Sequence, residues 1–227
     1  MYKLLTDSNP KTNKSIEFGY LTAILHLAPH KVSGHNLCPK ASQGCIGCCL
    51  NTAGHGQWDT TQQARIRRSK LFIENPTEFY KLLYADIEKL KRQADKLGLK
   101  PCLRLNGTSD IPKLALKVAR DFPELQVYDY TKILDTLKRS DLPTNYHLTF
   151  SHTEDNLSEC IEALNLGFNV AVVFAKELPK TSLFREVVDG DTHDLRFLDP
   201  KGVIVGLKAK GKAKQDETGF VVRGMGL

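Results

Sequence analysis

The chain has 227 residues, 41% hydrophobic and 26% charged, with 16 Gly and 10 Pro, an ordinary globular balance that sets aside collagen, coiled coil and a disulfide-knit secreted scaffold. Lys and Arg number 32 against 26 Asp and Glu, a formal net charge of +6, which admits a polyanionic partner without requiring one. No apolar run approaches the roughly 20 residues of a spanning helix, and residues 1–7 lack the apolar stretch of a signal peptide, so the sequence predicts a cytoplasmic protein with no membrane partner.

In chain order, a buried strand is expected over residues 20–28 (YLTAILHLA), followed by a cysteine-rich loop over 36–56. A helix over 60–73 begins at the capping run Asp59-Thr60-Thr61 and stops before Asn75-Pro76. The helix over 77–97 carries Phe79, Leu82, Leu83, Ile87 and Leu90 at helical spacing and ends at Gly98. Strands at 101–105, 126–130, 146–151, 169–174 and 203–207 follow, with helices at 111–121, 132–139 and 153–166 between them. Strands alternating with helices imply right-handed crossovers and a parallel sheet. Six such units predict a single α/β domain over 1–227, a parallel (βα)6 partial TIM-type barrel with its cysteine loop after the first strand.

In such folds the chemistry gathers at the C-terminal ends of the strands. Asn106, Gly107, Thr108, Ser109 and Asp110 follow the second strand, and Asp129, Tyr130 and Lys132 lie at the end of the third. Ser151, His152 and Glu154 follow the fourth. Asp110 and Asp129 are candidate catalytic carboxylates, as acid and base or nucleophile and base; helix capping and a strand-end hydrogen bond account for them equally well. The acidic turn 189–194 (DGDTHD) lacks the full calcium-loop pattern and reads as a surface loop or a lid over the rim.

Cys38, Cys45, Cys48 and Cys49 fall within twelve residues, with Pro39, Gly44 and Gly47 giving the loop freedom to turn around a metal. Clustered thiols in an intracellular chain point to metal or redox chemistry. They suit zinc, with His30, His35 or His55 completing the set, or an iron–sulfur cluster with one iron left open. Cys102 and Cys160 lie in a strand and a helix and read as core.

Two basic runs are candidate nucleic-acid contacts. Arg65, Arg67, Arg68 and Lys70 occupy the helix after the cysteine loop, and Lys208, Lys210, Lys212 and Lys214 open the C-terminal basic segment 206–227. In an extended segment, lysines at every second position point one way, as a phosphate track requires. No base-readout motif accompanies them, so a base-modifying enzyme would need a single strand or a flipped nucleotide.

A cysteine loop directly after the first strand of a six-unit partial barrel resembles the radical S-adenosylmethionine (SAM) core. That family holds a [4Fe–4S] cluster with C-x3-C-x2-C and binds SAM at the open iron. Here the spacing is C-x6-C followed by Cys48 and Cys49. Across most of its length the chain resembles the phage gene product 88 family, through NLCPKASQGCIGCCLNTAGHG (36–56), LRLNGTSDIP (103–112), VYDYTK (127–132), NYHLTFS (145–151), VVDGDTHDLRFLDP (187–200) and GVIVGLKAKG (202–211). The resemblance implies Cys38, Cys45 and Cys49 as the cluster ligands, Cys48 as the spare, and Asn106, Ser109 and Ser151 as SAM- or substrate-binding residues. The implied function is an iron–sulfur, radical-SAM-like enzyme acting on nucleic acid or a nucleotide-derived substrate. Two rivals keep zinc as a structural metal: a base-exchanging transglycosylase-like barrel enzyme, and a non-enzymatic protein that binds nucleic acid or a host factor.

Overall fold

The structure, a computed structural model, describes residues 3–6, 10–224 and 227. Met1, Tyr2 and Asp7 of the amino-terminal reading, and Met225 and Gly226 of the C-terminal basic segment, lie outside the described residues. The strands are β1 (Leu5–Thr6), β2 (Tyr20–Leu25), β3 (Lys100–Arg104), β4 (Gln126–Thr131), β5 (Tyr146–Ser151), β6 (Asn169–Phe174), β7 (Thr181–Ser182), β8 (Arg185–Asp189), β9 (Ile204–Lys208) and β10 (Val221–Val222). The helices are α1 (Pro10–Ile16), α2 (Gln43–Gly47), α3 (Asp59–Glu74), α4 (Pro76–Leu97), α5 (Pro112–Asp121), α6 (Leu134–Leu137) and α7 (Leu157–Asn165). They form a mixed α/β chain in two compact units, residues 1–39, 58–129 and 143–147 in the first, and 40–57, 130–142 and 148–227 in the second.

In the first unit β2, β3 and β4 run parallel, with Ile24 level with Arg104 and Leu103 with Val127. β1 joins β2 antiparallel through Leu5 and Leu25. Val127 N donates to Asn145 O at 2.8 Å, which brings the start of β5 beside β4. α4 forms because its apolar positions recur at helical spacing: Phe79, Leu83, Ile87, Leu90 and Ala94 are all buried, each of the larger ones contributing about 1.5–3 kcal/mol by leaving water. Its ends are chemically set. Asn75 Oδ1 accepts from Glu78 N at 3.1 Å, Pro76 opens the first turn, and Gly98 closes the helix at φ 65°.

In the second unit β5, β6 and β9 run parallel, with Phe150 level with Val170 and Val172 with Gly206. β8 extends β9 in parallel and β7 pairs back on β8, while β10 lies parallel on β6. Neither unit's ladder returns to its first strand. Phe150, Val170, Val172, Phe174, Ile204 and Val205 fill the sheet's core, with Cys160 and Ala163 of α7 buried against it. Cys102 and Cys160 are thus core residues, as the sequence predicts.

All six expected strands are present, with boundary changes that have local causes. The first stops at Leu25 instead of 28 because Ala28 N leaves the ladder and donates to Ser69 Oγ at 2.8 Å. The helix expected from 153 begins at Leu157. Residues before it form a side-chain-bonded turn, in which Thr153 N donates to Asn156 Oδ1 at 2.7 Å and Asn156 Nδ2 to Ser151 O at 3.0 Å. The helix expected over 132–139 shrinks to Leu134–Leu137, and Thr131 Oγ1 accepts from Ile133 N at 3.0 Å just before it.

The basic runs need two corrections. Arg65 does not share an exposed face with its neighbours; it is 7% exposed, on the same helical stripe as buried Ser69, whereas Arg67 and Lys70 are exposed. Arg68 donates to Lys3 O at 3.2 Å. The lysine alternation breaks after Lys210, because Gly211–Gln215 is a 3-10 turn that buries Ala213. Lys212 and Lys214 therefore do not continue the line of Lys208, and Lys210 Nζ is paired with Asp191 at 2.6 Å.

The turn at 189–194 is tied down: Asp191 Oδ2 accepts from Lys208 N at 3.1 Å, and Asp191 N donates to Asp189 Oδ1 at 2.8 Å. The fully buried Arg196 beyond it pairs with Asp199 at 3.1 Å. Burial pushes the Asp199 carboxyl up to about 6 against the pull of Arg196. The β7–β8 hairpin has no counterpart in the sequence reading. Its two-residue turn places Leu183 at φ 49° and Phe184 at φ 57°, which costs about 1–2 kcal/mol for each L-residue held there.

Among the described residues no helix is long and apolar enough to cross a membrane.

Candidate functional site

The cysteine loop is an anchored structure in the second unit from residue 40 onward. Ser42 caps α2: its Oγ accepts from Cys45 N at 3.2 Å and donates to Glu154 Oε2 at 2.7 Å. The other oxygen, Glu154 Oε1, accepts from Gly44 N at 2.7 Å. One carboxylate from the end of β5 thus grips the loop twice, and charge-assisted bonds of this kind are about twice as strong as neutral ones. Gly44 permits the grip, since a Cβ there would lie 2.2 Å from Thr218 Oγ1, 2.5 Å from Phe220 Cβ and 2.8 Å from Glu154 Oε2.

The four thiols have different surroundings. Cys38, in the first unit, donates to Thr108 O at 3.7 Å. Cys49 Sγ accepts from Asn51 N at 3.5 Å and so caps a short 3-10 turn. Cys48 packs with Val173, Ala175 and Phe220 against buried Ala209, Ala213 and Val221. Its thiol is pushed up to about 11, first by burial and then by Asp216, to which it is hydrogen-bonded, with Cys45 and Glu154 adding to the effect. Burial opposes the ionised Asp216, but bonds from Val221 N, Thr218 and Cys48 hold its carboxyl below the usual range.

Cysteine thiolates are the donors that iron–sulfur clusters and zinc select. Among the described residues, however, no three His, Cys, Asp or Glu side chains converge as a metal site. The donors fit such a group in kind and not in arrangement.

Four of the expected rim residues come together in the first unit. Asp129 is fully buried, and its carboxylate accepts from Asn106 N at 2.7 Å, Asn106 Nδ2 at 2.9 Å and Tyr146 Oη at 3.3 Å. Asn106 Oδ1 in turn accepts from Ser109 Oγ at 3.0 Å and Ile111 N at 2.8 Å. Asp110 N donates to Leu37 O at 2.8 Å. Burial pushes the Asp129 carboxyl up to about 7 against the lowering by Asn106, Arg104 and Tyr146. Burial, then Asp129 and Asp110, drive the Tyr146 phenol well above its ordinary range, so both carboxylates act on one phenol. Asp129 thereby fixes the Asn106 turn that presents Ser109 and Asp110. Ser151 belongs to the second unit, where its carbonyl accepts from Asn156.

His152 and Glu154 lie after the fourth strand as expected, but the part Glu154 plays in holding the cysteine loop, and Asp216 altogether, have no sequence signal. Glu154 and Asp216 lie more than a hundred residues from the loop they hold, with no local motif. His152 is 5% exposed, with no hydrogen-bond partner for Nδ1 among the described residues. Burial lowers its imidazole to about 4, against the opposing Glu154 and Asp155, so it is neutral at physiological pH.

A family model described as Gene product 88 matches residues 3–224. No curated protein and no solved structure matches the chain.

Proposed function

The chain belongs to the gene product 88 family, and from its cysteine loop we propose an iron–sulfur, radical-SAM-like enzyme of phage type that modifies nucleic acid or a nucleotide-derived substrate on a (βα)6 partial barrel. The observation that carries this reading is the anchored cysteine loop: a carboxylate and a glycine contact are committed to holding a segment that bears three half-buried thiols. Cys38, Cys45 and Cys49 are the proposed ligands. Cys48, packed in the apolar cluster and bonded to Asp216, is the spare thiol of this reading. The cluster would supply the reducing electron for SAM cleavage. Asn106, Ser109 and Ser151 bind SAM or substrate, Asp110 serves as the acid–base group, and Asp129 acts through Asn106 as a positioning residue.

Reduced, reconstituted protein tests this directly. SAM cleavage is expected in the wild type and in Cys48→Ala, and is lost in Cys38→Ala, Cys45→Ala and Cys49→Ala. Loss in Cys48→Ala equal to that in Cys45→Ala would overturn the ligand assignment, and no cleavage by the wild type would overturn the radical reading.

A second reading keeps the thiols and changes the metal, since cysteine thiolates are donors to zinc as well as to an iron–sulfur cluster. In that case the metal is structural, and the protein is a transglycosylase-like enzyme or a binder of nucleic acid or a host factor.

A further inference from the structure

We propose that the tip of the β7–β8 hairpin is a stacking platform for an unpaired nucleobase, with Phe184 as the platform. Its side chain is fully exposed, more so than any other large apolar side chain among the described residues. A single exposed phenylalanine is ordinary on a protein surface. This one is not placed casually. Leu183 and Phe184 occupy both central positions of a two-residue hairpin turn at positive φ, where Asn-Gly is the relaxed choice. The chain holds an aromatic ring in water at a strained position and buries none of it.

The charges around the tip define the occupant. Arg185, next to the ring in sequence, and Lys180, opposite Val187 further back along the hairpin, are both exposed. Continuing the parallel register of Val187 with Ile204 sets Arg185 level with Gly202, next to exposed Lys201. Glu186 is the acid nearest in sequence to the turn. An apolar protein pocket would be served by the ring alone. Cations flanking a bare aromatic face match a base with phosphates on either side, the pattern by which single strands are held. A duplex keeps its bases stacked on one another, so the ligand is a single strand. Along the β9 line, the level of Arg185 lies about 20 Å from Lys208 at ordinary strand rise, a span that a few nucleotides cover.

The inference rests on the nucleic-acid part of the proposed function and not on its cluster, so its test needs no metal. The full chain is titrated into a fluorescein-labelled oligo-dT of about 12 nucleotides at about 50 mM salt, read by anisotropy. Phe184→Ala is expected to weaken binding about 5- to 100-fold, with Phe184→Trp restoring it and the salt dependence unchanged, because the cations remain. The double variant Leu183→Asn, Phe184→Gly is expected to bind as weakly while its Tm rises by about 4–16 °C as the turn relaxes. Binding by Phe184→Ala within about two-fold of wild type overturns the proposal. So does unchanged binding accompanied by loss of self-association in sedimentation, which would make the tip a protein contact. If Lys208→Ala with Lys210→Ala loses oligo-dT and Phe184→Ala does not, the nucleic-acid reading stands and this inference falls. If the wild type binds no oligo-dT, both fall.

Discussion

Gly44→Ala is expected to unseat the cysteine loop and to cost about 3 kcal/mol of stability, the range in which overpacked sites fall. The added methyl would meet Phe220 Cβ at 2.5 Å and Thr218 Oγ1 at 2.2 Å. Phe220 Cβ is attached directly to the backbone and cannot swing aside. Relief must come from lifting α2, which breaks the Gly44–Glu154 bond of 2.7 Å and the Ser42 cap beyond it. Urea denaturation of the variant beside wild type measures the loss, and a thermal midpoint lower by roughly 6–12 °C accompanies it for a chain of this size. A change below about 0.5 kcal/mol, the ordinary size of a surface substitution, would mean that the loop is not anchored as described. Glu154→Gln is the milder companion, since an amide keeps one acceptor oxygen where Ser42 and Gly44 donate to two different ones.

Asp129→Ala is expected to cost about 4 kcal/mol, because it strands the buried Asn106 N–H and side-chain amide and the Tyr146 hydroxyl. Asp129→Asn separates charge from shape. The folded chain binds the Asp129 proton up to about 7, the unfolded chain only to about 3.8. The folded state therefore holds more protons than the unfolded state in that window, and stability falls as the pH rises through it. Above about 7 the loss is complete. Asparagine does not titrate, so urea midpoints of wild type are expected to decline from pH 5 to pH 8 relative to Asp129→Asn. A wild type that gains on the variant over this range would show that Asp129 is ionised and stabilising.

The six long parallel strands and α4 were legible because each carries a local signature: an apolar or β-branched run between turn residues, or the Asn75-Pro76 start and Gly98 stop of a periodic helix. The elements that were not legible lack one. β1, β7 and β10 are two residues each, too short for any period. The β7–β8 turn uses Leu183-Phe184 where a readable hairpin uses Asn-Gly. In the site, the cysteines and the Asn106–Asp110 turn stood out by residue type and place after a strand. Glu154 stood out by place but not by role, and Asp216 by neither, because a single acidic residue acquires its role only when the fold brings it to the loop. Arg65 misled in the same way: its charge is visible in the sequence, and the helical stripe that buries it is set by packing.

The most direct test of the central claim is iron, sulfide and zinc analysis of anaerobically purified protein, with an absorption spectrum. About four irons and four sulfides per chain, lost in Cys45→Ser and kept in Cys48→Ala, are the predicted result. One zinc with no iron would contradict the iron–sulfur reading and make the loop a structural zinc site.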